Sequence, residues 1–335
     1  MPTESDERLL ELAIEAVEAA ARVTQTVQRQ IDVDSLTKGD RSPVTAADYA
    51  SQAVVCHILG TDIPVVGEED ASDLRTTERS FLPQVTQVVN DAGYEADEDT
   101  VCDWIDRGGH DGASRQYWTL DPIDGTKGFL RKEQYAISLA LIVEGQIRLG
   151  VVGCPNLAAS GADAASELTD GTLQYATRGG GAFGRTFSDA APRRLSVSDE
   201  TTASKIRLCE SVESGHSSHS HSARIKTRLG ATAEPVRLDS QAKYSVVARG
   251  DAEAYLRLPT RPGYQEKIWD HAGGVIVVEE AGGRVSDVDG KPLDFGRGPT
   301  LAGNRGVVAT AAAVHDVVLK SVAAVLREDA AGSQA

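Results

Sequence analysis

The stretch Trp118 to Phe129, WTLDPIDGTKGF, sets two aspartates three residues apart behind a short apolar run. Carboxylates that close repel one another unless a proton or a cation lies between them. Pro122 fixes φ and removes a backbone donor, and Gly125 permits a tight turn. Such a turn aims the Asp121 and Asp124 carboxylates, with the Ile123 carbonyl, into one cavity. Oxygen donors of this kind suit Mg²⁺, which favours octahedral oxygen coordination and keeps several waters. A solvated, Asp-rich turn is the alternative that this stretch alone leaves open.

Two more acids sharpen the choice. Glu68 follows a glycine in VVGEED, and Asp270 stands between Trp269 and His271 in IWDHAGG. Asp270 taken alone reads as a helix N-cap. Four acids far apart in sequence, each at the end of an apolar segment, form the pattern of a two- or three-metal site. Phosphatases that form an aspartyl-phosphate space their paired aspartates by two. The spacing of three points instead to attack by water.

The elements that must position these acids can be read from periodicity. Leu10, Ile14, Val17 and Ala21 step by four, three and four, predicting an amphipathic helix from Glu7 to about Gln30. A second helix is expected from Thr45 through Leu59, and a short strand over Ile63–Gly67 delivers Glu68. The polar segment 70–116 is read as partly helical, either a lid over the site or a surface decoration. Ala136–Val143 and Gln146–Val152 read as a hairpin of core strands. Arg178–Phe183, with three glycines, is a turn between strands, not a phosphate cradle, because no lysine–hydroxyl ending follows. Gly274–Ala281 reads as a helix closed by Gly282 and Gly283. Strands and helices interleave without a regular βαβ rhythm, which favours a layered α/β sandwich over a barrel. The loop at about 155–172 suggests a division into residues 1–160, carrying most of the acids, and 161–330.

Composition narrows the function classes. The 335 residues carry a net charge of −16, which argues against nucleic-acid partners and against an anionic membrane surface. An anionic small substrate stays open, because bound metal ions invert the local field. The four cysteines are scattered with no CxxC pair, which fits reduced thiols in a cytoplasmic protein better than a zinc site or disulfides. The acidic N-terminus does not read as a signal peptide, and no apolar run reaches membrane-spanning length. No exposed apolar stripe stands out, so a monomer is expected.

In this order, GEED (67–70), DPIDGT (121–126) and WDHAGG (269–274) resemble the lithium-sensitive, magnesium-dependent phosphatase superfamily that includes inositol monophosphatases and fructose-1,6-bisphosphatases. More narrowly, the chain resembles the eukaryotic 3′(2′),5′-bisphosphate nucleotidases. That likeness rests on SPVTAADYASQ (42–52), VCDWIDRG (101–108), YWTLDPIDGTKGFLR (117–131), GHSSH (215–219), LDSQAKYSVVARGDAEAYLRLP (238–259) and YQEKIWDHAGG (264–274). The resemblance implies an α/β/α/β/α sandwich with its site between the two halves. It implies two or three Mg²⁺ ions on Glu68, Asp121, the Ile123 carbonyl, Asp124 and Asp270. Asp48 and Thr126 would orient and deprotonate the attacking water.

His216, Ser240, Lys243 and Arg257 are expected around the adenosine and its retained 5′-phosphate, with Thr126 and Asp270 also at the substrate. His216 is favoured by its place beside Gly215, although His219 and His221 lie close by. The implied reaction is removal of the 3′-phosphate from adenosine 3′,5′-bisphosphate, and from 3′-phosphoadenosine 5′-phosphosulfate, with sensitivity to Li⁺ and Na⁺. A phosphatase of inositol phosphates is the alternative enzyme, and a catalytically silent nucleotide- or metal-binding regulator is the alternative class. Every motif acid is present, together with Asp48 and Thr126, so nothing in the sequence signals lost catalysis.

Overall fold

Ala136–Val143, AISLALIV, is apolar at nearly every position, as a strand covered on both faces must be. It lies near the middle of a seven-stranded sheet, and everything around it is arranged in layers. The computed structural model describes residues 1–31, 42–160, 170–189, 191–212, 219–259, 261 and 263–332.

In chain order the first part comprises α1 (Glu4–Gln30), α2 (Ser42–Leu59), β1 (Val65–Gly67), α3 (Ser72–Arg75), α4 (Leu82–Asp91) and α5 (Glu98–Asp106). There follow β2 (Gln116–Asp124), α6 (Thr126–Leu130), β3 (Ala136–Val143), β4 (Gln146–Cys154), β5 (Thr172–Thr177), β6 (Gly181–Thr186) and β7 (Arg193–Arg194). The remainder comprises β8 (Leu208–Glu210), α7 (His219–Leu229), β9 (Val236–Arg237), α8 (Ala242–Ala248) and β10 (Ala254–Arg257). It ends with α9 (Ala272–Glu280), β11 (Gly283–Ser286), β12 (Val307–Ala311) and α10 (His315–Gly332).

Strands β1 to β7 form the first sheet in sequential order, and the second sheet runs β11-β12-β10-β8-β9. The first sheet thus continues past residue 160 to Arg194, and the change of sheet falls between β7 and β8.

Apolar side chains of α1 and α2 pack on one face of the first sheet around Trp118, Leu120 and Leu139. Its other face meets α8 and α9, which also contact the second sheet through Tyr255, Cys209 and Ala309. Helices α7 and α10 cover the outer face of the second sheet through Ile225, Val318 and Val322. The order is helix, sheet, helix, sheet, helix: the five-layer sandwich expected from the sequence.

Helix α1 begins at Glu4, three residues before the periodic pattern. The reason is a capping box: Asp6 N–H donates to Thr3 Oγ1 at 3.2 Å, and Thr3 N–H returns to the Asp6 carboxylate at 2.7 Å. Arg148 of β4 donates to the same carboxylate at 2.7 Å, tying the helix start to the sheet. Close to the start of α1, Gly179 and Gly181 in the β5–β6 turn donate backbone N–H groups to Glu280 of α9. That stretch is the turn the sequence suggested. All four cysteines are buried and unpaired. Among the described residues, no helix is long and apolar enough to cross a membrane.

Segment 70–116 supplies α3, α4 and α5, and these pack on α2 through Leu74, Val85, Val101 and Ile105. None of its residues lines the cleft described below, so it buttresses α2 and does not form a lid.

The middle layer tolerates no extra volume. A Cβ on Gly274 would fall 2.7 Å from Tyr244 Cβ and closer still to its ring. Gly274→Ala is therefore expected to destabilise the fold by about 1–3 kcal/mol through overpacking, despite the better helix propensity of alanine. Equilibrium urea unfolding measures this; an unchanged or raised midpoint would show that α8 and α9 have room to spare.

Candidate active site

Register brings the first acids together. Strands β1 and β2 run parallel with Val65 beside Trp118 and Gly67 beside Leu120. One residue further, the chain exits β1 at Glu68 beside Asp121 of β2. The turn expected for DPIDGT is instead a continuation of β2 to Asp124, irregular between Asp121 and Asp124, where Asp121 pairs with Ser138 and Asp124 with Ala136. Such a bulge re-aims side chains at the end of a strand. The Pro122 carbonyl accepts the Ser51 hydroxyl at 3.2 Å, and Ile123 N–H donates to Asp121 Oδ1 at 3.1 Å. Gly125 then turns with φ of 90° into α6.

Glu68 is set by Gln52 of α2. The Gln52 amide donates to the Glu69 and Ile105 carbonyls and accepts from Glu69 N–H, while Gly67 N–H reaches the Gly108 carbonyl at 2.8 Å. A side chain at Gly67 would collide with Gln52. The α3–α5 segment thus acts on the site from behind, through the turn that carries Glu68.

Asp270 arrives from the other half. It precedes α9 without capping it, since the N-cap is His271 and no side-chain cap bond forms. Ser138 of β3 donates to the Gln241 amide oxygen at 2.9 Å, and Gln241 Nε2 donates to the Trp269 carbonyl at 2.9 Å. One glutamine thereby joins the strand beside Asp121 to the residue before Asp270.

Glu68, Asp121, Ile123, Asp124, Thr126, Ser240, Lys243, Arg257 and Asp270 line a single cleft. Glu68, Asp121 and Asp124 come to it from β1 and β2, the cations Lys243 and Arg257 from α8 and β10, and Lys127 and Asp239 line it as well. Burial raises the carboxyls of Asp121 and Asp270 well above the usual range, and neighbouring carboxylates push them further. Glu68 is raised by burial too, and it comes within hydrogen-bonding distance of Asp121. Two carboxylates hold that distance when a proton or a cation sits between them. Lys267 lowers Glu68 and Arg257 lowers Asp270, yet neither offsets burial. The donor set is oxygen throughout and over-rich in negative charge, which fits a hard divalent cation.

Asp48 is buried on α2, off the cleft wall, and its carboxyl is raised by burial and by Glu69 and Glu68. Asp121 in turn feels its charge. Helix α2 packs against α6, whose first residue Thr126 faces the cleft.

Also in the cleft, Ser240 sits at φ of 66°, and Ala242 N–H donates to its hydroxyl at 3.2 Å. The Lys243 ammonium donates to the Leu238 carbonyl at 3.1 Å over the Tyr255 ring, and burial holds it down to about 8. Arg257 ends β10, with its Nε 3.3 Å from both carboxylate oxygens of Glu266. Burial pushes Glu266 up, but His271 and Arg257 more than offset it and hold it down to about 2. Glu266, Asp270 and His271 form a close cluster. Glu266 there is already bound to Arg257 and His271 and lies off the cleft, which Asp270 and His271 line.

His216 lies outside the described residues. His221 is paired with Asp329 of α10 on the outer layer and does not line the cleft. Sequence reasoning had not singled out Asp239, Tyr255, Tyr264, Glu266 or His271. Their signal was present in the motifs LDSQAKYSVVARGDAEAYLRLP and YQEKIWDHAGG, but the network that gives them a role joins residues of separate elements.

Five layers around a carboxylate-walled cleft define a metal-dependent phosphatase architecture. The chain belongs to the inositol monophosphatase family, whose model matches residues 5–327. A 3′(2′),5′-bisphosphate nucleotidase of Schizosaccharomyces pombe is 41% identical over 340 residues, covering 95% of this chain and 96% of that protein. One of Emericella nidulans is 39% identical over 351 residues (96% and 99%), and 3′,5′-bisphosphate nucleotidase 2 of Arabidopsis thaliana is 41% identical over 346 (97% and 99%). Among solved structures, CysQ from Bacteroides thetaiotaomicron superposes with a TM-score of 0.62 at 20% identity, covering 91% of this chain and 97% of that one. Inositol monophosphatase from Anabaena (Nostoc) sp. PCC 7120 gives 0.60 at 21% identity, covering 94% and 95%. At that identity the two structures speak for the fold.

The crowded acids are expected to make the protein's stability depend on divalent cations. After chelator treatment, a divalent cation at a hundred times its dissociation constant should stabilise the fold by about 2.7 kcal/mol per site. Thermal unfolding reads this directly; a midpoint indifferent to cations would mean that protons alone settle the repulsion.

Proposed function

We propose that the protein is a Mg²⁺-dependent 3′(2′),5′-bisphosphate nucleotidase that hydrolyses adenosine 3′,5′-bisphosphate to AMP and phosphate. Activity on 3′-phosphoadenosine 5′-phosphosulfate follows, because the sulfate lies at the end away from the cleaved bond. The observation that carries the reading is the mixed lining of the cleft: carboxylates stand in it together with Lys243 and Arg257. A substrate with two phosphates at opposite ends of a ribose suits such a cleft, one phosphate being attacked and the other held. The nucleotidase relatives at about 40% identity over nearly the whole chain support the same substrate.

Glu68, Asp121, the Ile123 carbonyl, Asp124 and Asp270 would hold two or three Mg²⁺ ions. When bound, these ions supply positive charge to the transferred phosphoryl group and acidify the attacking water. Asp48 and the Thr126 hydroxyl, of which Thr126 lines the cleft, would act as a pair that orients the attacking water in line with phosphorus and takes its proton. The water oxygen bonds to phosphorus as the bond to the 3′-oxygen breaks, and the leaving oxygen gains a proton. Ser240, Lys243 and Arg257 hold the retained 5′-phosphate, with Asp270 beside the ribose and His216 assigned to the adenosine. No phospho-enzyme forms.

Two experiments test this. Phosphate release from adenosine 3′,5′-bisphosphate is expected to exceed release from inositol 1-phosphate and inositol 1,4-bisphosphate; a clear preference for the inositols overturns the substrate assignment. Asp121→Asn is expected to lower kcat/KM by roughly a hundredfold or more, because it removes a charge that the cations share, while far-UV circular dichroism stays unchanged. A variant that keeps most of its turnover would remove Asp121 from the metal site.

A further inference from the structure

We propose that Glu266 is a positioning residue for substrate binding: it fixes the Arg257 guanidinium that grips the phosphate the enzyme does not cleave. The inference rests on the reading of Arg257 as a ligand of the 5′-phosphate.

Glu266 is 6% exposed and is not among the residues that line the cleft, whereas Arg257 is. Both of its carboxylate oxygens accept the Arg257 Nε–H at 3.3 Å. A guanidinium is a rigid plane with five donors, so fixing its Nε edge sets the direction of its fork. Arg257 comes last in β10, where it pairs with Val307 of β12, and its backbone is therefore set by the second sheet. Its side chain needs a separate anchor, and Glu266 provides one beside the bond that Arg257 makes to Tyr264.

The anchor is itself held on two sides. His271 Nε2 lies 3.4 Å from the Glu266 carboxylate, and His271 Nδ1 is hydrogen-bonded to the buried Tyr244 hydroxyl at 2.7 Å. Along the backbone, Leu301 N–H donates to the Glu266 carbonyl at 2.8 Å, and Ile268 N–H to the Pro299 carbonyl at 3.2 Å. Lys243 is supported differently, by the Leu238 carbonyl and the Tyr255 ring. Loss of Glu266 therefore strikes one of the two phosphate cations and spares the other.

The test compares adenosine 3′,5′-bisphosphate with adenosine 3′-monophosphate, which lacks the 5′-phosphate, on the wild type, Glu266→Gln, Glu266→Ala, Arg257→Ala and Glu266→Ala/Arg257→Ala. The wild type is expected to favour the bisphosphate in kcat/KM. Glu266→Ala should raise KM for the bisphosphate about 10- to 100-fold with kcat little changed, and should leave the monophosphate within about threefold. Glu266→Gln keeps the shape and one acceptor, so an intermediate KM is expected; this variant decides the matter if Glu266→Ala does not fold. The double variant should bind no worse than Arg257→Ala, because the two residues act as a unit. An unchanged bisphosphate KM in both Glu266 variants, or equal losses on the two substrates, overturns the inference while the reading of Arg257 stands. A wild type that does not distinguish the substrates, or an Arg257→Ala that loses no preference, overturns that reading and the inference with it.

Discussion

Like charge packed into a dry cleft is the constraint on which the rest of the structure depends. Glu68, Asp121, Asp124 and Asp270 come from three separate segments, and the carboxyls of Glu68, Asp121 and Asp270 are raised because burial disfavours their charge. No carboxylate adopts such a position on its own account, so each must be forced there by backbone that is secured elsewhere. Parallel pairing of β1 with β2 secures Glu68 against Asp121, and the irregularity in β2 turns Asp124 to the same side. Gln52 and Gln241 hold the two remaining connections without adding charge. Neutral amides suit this task, since a cation in their place would satisfy the acids and compete with the ions the site is built for.

The cations of the cleft pose the reverse problem. Lys243 is buried and held down to about 8, so its ammonium is costly to keep charged until an anion arrives. Arg257 cannot lose its proton in the same way and is accompanied by Glu266 instead. A cleft with both uncompensated acids and strained cations is poor as a resting structure. It is well prepared for a ligand that brings cations to the former and a phosphate to the latter. Binding energy of that kind is stored before the substrate enters, which is the meaning of preorganisation in a polar site.

Much of this was legible in the sequence because chemistry and local conformation were written in the same few residues. The acids of GEED, DPIDGT and WDHAGG could be grouped by type and by their places at the ends of apolar segments. Helix α1 followed from periodicity, the end of α9 from its closing glycines, and the long buried strands from their apolar runs. What periodicity missed was set by side chains that interrupt it. The start of α1 moved to Glu4 because Thr3 and Asp6 close a capping box, and β2 ran on to Asp124 because its partner β3 continued to pair. Segment 70–116 could not be assigned from its polarity, since its apolar residues face α2 and only the fold shows which surface they cover. Glu266 was invisible for a similar reason: its partners Arg257 and His271 lie 9 and 5 residues away on different elements.

The segments that carry the acids and the cations meet at a backbone contact, and its geometry explains why so small a residue stands in DPIDGT. Gly125 has φ of 90°, and a Cβ there would lie 2.9 Å from Ser240 Cβ. Ser240 has a left-handed backbone of its own, a conformation that costs a non-glycine residue on the order of 1 kcal/mol. Either feature alone reads as a local turn. Together they bring the strand end that carries Asp121 and Asp124 against the turn that carries Ser240 and leads into Lys243. Gly128 repeats the closeness one helical turn later, where a Cβ would lie 3.0 Å from the Asp239 carboxylate. The close approaches at Gly125 and Gly128, with the Ser138–Gln241 and Arg131–Asp239 bonds, thus set the distance between the acids and the cations. A substrate that spans both is measured against a rigid gauge, and a phosphate placed one bond too far from the first would reach only one of them.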